Sequence, residues 1–129
     1  MQIRYRSSIL ELEELPIDIG YASEKVELKN HSDTPFNVGG QDGFTQLIIT
    51  TPFIDEELIT QMGEIDTLLS LNALDATAKA LVVATTAHVD PSIEGWGFGI
   101  DRDEAFGDYY GIRLRPGELG GEFAKALFI

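Results

Sequence analysis

The spacing of apolar residues changes period within Phe44–Leu71, FTQLIITTPFIDEELITQMGEIDTLLSL, at Thr51-Pro52. Before the proline, Leu47, Ile48 and Ile49 form a short run rich in β-branched residues, which suits a strand buried on both faces. After it, Ile54, Leu58, Met62, Ile65 and Leu69 recur at three and four residues and fall on one face of an amphipathic helix. Asp55, Glu56 and Glu57 crowd the first turn of that helix, where unpaired N–H groups and the positive end of the dipole favour carboxylates. A strand that runs into a helix N-terminus is where many α/β proteins place their chemistry.

The same patterning predicts the rest of the chain. Ile3–Leu10 reads as an opening strand, with an acidic bridge over Glu11–Leu15 leading to Pro16. ASEKVELK, over Ala22–Lys29, alternates and reads as a short edge strand whose charges deter wrong pairing. Asn30–Asp33 turns the chain, and the glycine-rich FNVGGQDGF reads as a further turn into the strand at Phe44–Thr50. LVVATTA, Leu81–Ala87, is a second buried strand, so strand, helix and strand predict a right-handed βαβ unit with parallel strands. HVDPSIEGWGFG, His88–Gly99, reads as a long loop or irregular helix. DRDEAFGDYY predicts a short helix with Ala105, Phe106 and Tyr109 or Tyr110 inward, closed by Gly111. Arg115-Pro116-Gly117 supplies a turn before a last apolar strand, Phe123–Ile129, which leaves an edge for something else to hide.

The 129 residues suffice for one hydrophobic core, and one domain spanning 1–129 is expected. No apolar run is long enough to cross a bilayer, and MQIRYRSSILELEEL lacks the continuous apolar segment of a signal peptide, which points to the cytoplasm. The net charge of −13 argues against nucleic-acid or anionic-membrane partners, because neutralising phosphates requires a basic patch. With no cysteine, the chain has no disulfide, thiolate metal site or thiol nucleophile of its own.

Candidate chemistry is sparse. The Asp55-Glu56-Glu57 triplet could serve as an acid/base pair or a metal site, but the helix dipole already accounts for it. The glycines of FNVGGQDGF lack the lysine and serine or threonine of a phosphate loop. DRDE fails as a calcium loop, since Phe106 and Ile112 stand where glycine and glutamate are needed; it reads as a solvated helix start. His31 and His88 fall in different predicted turns and make no evident dyad, although His88 ends a buried strand two residues from Asp90. No G-x-S-x-G elbow occurs, and Trp96 and Phe98 in GWGFG read as aromatics that pack a loop onto the core.

Together these stretches resemble a known family. TTPFIDEELITQM resembles the active-site segment F-P-S-I-D-T-x-V-C of the thiol peroxidases, the atypical two-cysteine peroxiredoxins. DEAFGDYYG resembles their D-x-x-F-x-x-x-Y-G, and the chain beyond it their short excursion and the strand beginning L-x-A-R-A. ELPIDIGYASEKVELKN resembles their opening. The resemblance implies an α/β, thioredoxin-like fold of the peroxiredoxin type, a central mixed sheet flanked by helices, without the family's C-terminal strand and helix. It also places Glu56 at the threonine position, Ile59 at the peroxidatic cysteine, Lys125 at the activating arginine, and the resolving cysteine near Gly97. A peroxidatic thiolate needs a helix N-terminus and a cation to lower its pKa, so the working groups are replaced while Pro52, Ile54 and Asp55 preserve their frame. A binding or structural role as a homodimer, with no cofactor and no metal, is the function expected. The alternative is an enzyme of another class, in which Asp55, Glu56, His88 and Lys125 converge on the former pocket.

Overall fold

The computed structural model describes residues 2–5, 8–11, 25–40, 45–74, 77–114 and 122–129. Two antiparallel strands, β1 (Gln2–Tyr5) and β2 (Ser8–Glu11), form a separate hairpin with Gln2 opposite Glu11 and Tyr5 opposite Ser8. The expected single opening strand is therefore two, because the chain folds back within it. The bridge at 12–16 and the turn at 115–117 lie outside the described residues.

Six further strands make a mixed sheet in the order β4-β3-β7-β6-β5-β8. They are β3 (Val26–Lys29), β4 (Pro35–Val38), β5 (Gln46–Thr50), β6 (Ala78–Val83), β7 (Trp96–Ile100) and β8 (Ala126–Phe128). Strand β5 pairs parallel with β6 from Gln46↔Ala78 to Thr50↔Val82, with helix α1 (Glu56–Leu71) as the crossover, as the βαβ pattern predicts. On the other side of β6, β7 is also parallel, whereas β3 and β8 run antiparallel to β7 and β5.

Three sequence expectations are corrected here. The alternation of β3 holds, with Val26 and Leu28 buried and Glu27 and Lys29 exposed, yet β3 is an interior strand. The edge is β4, taken above for part of a turn; it opens with Pro35, whose missing N–H costs least at an edge. The third correction is β7, an interior strand where GWGFG suggested a loop. Trp96, Phe98 and Ile100 occupy one face with period two, while Gly97 and Gly99 leave room on the other for Phe36 and Leu28. A Cβ on Gly99 would lie 2.7 Å from both Leu28 Cδ1 and Phe36 Cζ. Strand β6 also starts earlier than expected and stops at Val83, beyond which the Thr85 hydroxyl accepts from the Ala87 N–H (3.3 Å) in a local turn.

Each face of the sheet carries its own core. Leu58 and Met62 of α1 pack on Leu47, Ile49, Leu81, Val83, Phe98 and Ile100, with Ile54 and Ile65 at the margin. Helix α2 (Ala105–Tyr110) covers the other face, where Phe106 stacks on Tyr110 (ring centroids 4.3 Å apart) and packs against Phe123. Phe106 and Tyr110 point inward as expected, whereas Ala105 is exposed. Gly111 ends α2 in the left-handed region (φ 69°), a conformation glycine adopts without a Cβ penalty. After it, 112–114 and 122–124 pair through Ala124 N–H to Ile112 O (2.8 Å) and Leu114 N–H to Glu122 O (2.9 Å), and the chain then enters β8. Among the described residues no helix is long and apolar enough to cross a membrane.

Candidate functional site

The junction between β5 and α1 is tightly built. Thr50 and Thr51 are fully buried. The Thr50 hydroxyl donates to the Ala124 carbonyl (2.7 Å), tying the end of β5 to the segment before β8. The Thr51 hydroxyl donates to the Phe53 carbonyl (2.6 Å) and accepts from the Phe53 N–H (3.2 Å), bending the chain around the buried Pro52. Asp55, in an extended conformation, caps α1: its carboxylate accepts from the Leu58 N–H at 2.9 Å and its carbonyl from the Ile59 N–H at 3.1 Å. This cap explains why the helix begins at Glu56, with Ile54 before the cap and packed against the core.

The residues singled out by the family pattern occupy different surroundings. Glu56 is exposed in the first turn of α1, and Ile59 presents an apolar side chain 44% exposed at the start of that helix. Lys125 lies just before β8 and lines a groove with Leu58 and Gln61. Gly97 sits inside β7, opposite Ala80 of β6, and a Cβ there would meet the Phe36 ring at 3.4 Å. Its Cβ direction is that of the α2 face, since Trp96 and Phe98 take the α1 face. The position matched to the resolving cysteine thus belongs to a strand instead of a loop and looks away from the helix carrying Ile59. Of the four residues named for the alternative enzyme, Asp55 caps α1, Glu56 is exposed, Lys125 borders the groove, and His88 pairs with Glu122.

The partners of His88 were not legible in the sequence. His88 Nε2 lies 2.9 Å from Glu122 Oε2, and Thr85 Oγ1 donates to Glu122 Oε1 at 3.4 Å. His31 Nε2 meets the His88 carbonyl oxygen at 2.5 Å, so that ring nitrogen carries the proton. The two histidines, separated by 57 positions, are joined through a main-chain carbonyl. In a nucleophilic triad the imidazole holds the hydroxyl; here the carboxylate holds both, so nothing in the arrangement activates Thr85. The cluster pins the turn after β6 to the segment before Phe123.

A second polar cluster is structural for a comparable reason. Asp101, expected on a solvated helix start, is 4% exposed. Its carboxylate accepts from the Phe106 N–H (3.0 Å) and the Gly107 N–H (2.8 Å), satisfying donors that the first turn of α2 leaves unpaired. Arg113 approaches it at 3.5 Å and donates to Asp108 at 2.9 Å. Burial pushes the Asp101 carboxyl above the usual aspartate range, outweighing the two N–H groups and Arg113 that pull it down, while Asp108 adds to the rise. On the α1 side, Asp66 accepts from the Trp96 indole N–H (3.1 Å) and pairs with Lys79, whose ammonium lies 5.3 Å from the centre of the Trp96 ring. Among the described residues no group of three or more His, Cys, Asp or Glu is arranged to hold a metal ion.

No family model and no curated protein matches the chain. Solved structures do. A peroxiredoxin-like protein from Aquifex aeolicus superposes with a TM-score of 0.80 at 17% identity, covering 98% of this chain and 77% of its own. A thiol peroxidase from Chromobacterium violaceum superposes with a TM-score of 0.75 at 14% identity and the same coverages, 98% and 77%. The six-stranded mixed sheet with a helix on each face is therefore a thioredoxin-like fold of the peroxiredoxin type.

Proposed function

We propose that this protein is a relative of the thiol peroxidases that does not reduce peroxide through a thiol of its own and that works by binding. The observation that carries the reading is Ile59. An apolar side chain stands at the position matched to the peroxidatic cysteine, on a strand, proline, aspartate and helix frame that is otherwise intact. Such a frame lowers the pKa of a thiolate and holds it at a helix N-terminus; with isoleucine there, and no cysteine anywhere in the chain, it has no nucleophile to activate. What remains is a rigid scaffold bearing exposed apolar side chains, among them Phe53 and Ile59. These suit contact with another protein better than chemistry on a small peroxide, and they are the surface on which the expected cytoplasmic homodimer would form.

The test is hydrogen peroxide consumption by the purified protein, coupled to thioredoxin, thioredoxin reductase and NADPH. NADPH oxidation at the rate of the protein-free control is the expected result. Turnover that scales with protein concentration would refute the reading.

A further inference from the structure

We draw no further inference here: the strongest candidate, the apolar groove between α1 and β8 lined by Ile49, Leu58, Ile65, Leu68 and Leu127, carries nothing because nothing in the structure shows what covers it.

Discussion

Two glycine-to-alanine substitutions should move stability in opposite directions, and the contrast tests the packing of β7. In Gly99→Ala the new methyl would lie 2.7 Å from Leu28 Cδ1 and Phe36 Cζ and 2.9 Å from Leu28 Cβ, where about 3.5–4.0 Å is the comfortable separation. Leu28 is 1% exposed and belongs to an interior strand, so little of the strain can be relieved by its moving; Phe36, only partly buried, can yield. Overpacking costs about 1–3 kcal/mol, and alanine recovers about 0.5–1 kcal/mol of the entropy glycine loses in a strand, for a net loss of about 1–2 kcal/mol. In Gly63→Ala the methyl meets nothing within 4 Å on the exposed side of α1, so the helix gains about 0.5–1 kcal/mol. Urea unfolding followed by the fluorescence of Trp96, the chain's single tryptophan, reads both. With m near 1–3 kcal/mol/M, the midpoint should fall by roughly 0.5–1 M for Gly99→Ala and rise by a few tenths for Gly63→Ala. A Gly99→Ala protein as stable as the parent would refute the account of β7 as an interior strand whose glycines admit Leu28 and Phe36.

Asp101→Asn should destabilise the protein by about 1.5–3 kcal/mol near neutral pH, because one amide oxygen cannot replace the carboxylate that serves two N–H groups and Arg113. Since the folded carboxyl titrates above its unfolded value, the folded state binds the extra proton. The stability difference between parent and variant should shrink as pH rises from the ordinary aspartate value through the raised one, as measured by denaturant titration across that window. A difference that widened with pH would contradict burial as the dominant cause. Asp55→Ala should lower stability by about 1 kcal/mol through loss of the cap on Leu58, read as a fall of a few degrees in Tm; an unchanged Tm would mean that the first turn is held by something else.

The comparison of pattern and structure divides along the range over which each signal acts. The change of period at Thr51-Pro52, the parallel β5–β6 pair and the closure of α2 at Gly111 were legible because each is written within a few residues, by spacing or turn chemistry, whereas Asp55, read as part of the first turn, stands one residue before it as the cap. The site frame belongs to this class, as does the isoleucine standing in it. Tertiary structure decided the rest. WGFG carries strand periodicity, but its glycines read as loop until Phe36 and Leu28, far earlier in the chain, are seen to fill the space they leave. Strand β3 alternates like an edge strand and becomes interior because β4 covers it. Asp101 looked solvated because its neighbours in sequence are polar; it is buried because the sheet, α2 and Arg113 close over it. His88 found Glu122 across 34 positions, and the groove beside α1 exists because β8 joins the far side of β5. Local pattern determines what an element is, since backbone propensity and amphipathic period act over one or two turns. Which elements become neighbours, and which side chains lose water, depends on surfaces brought together from distant parts of the chain.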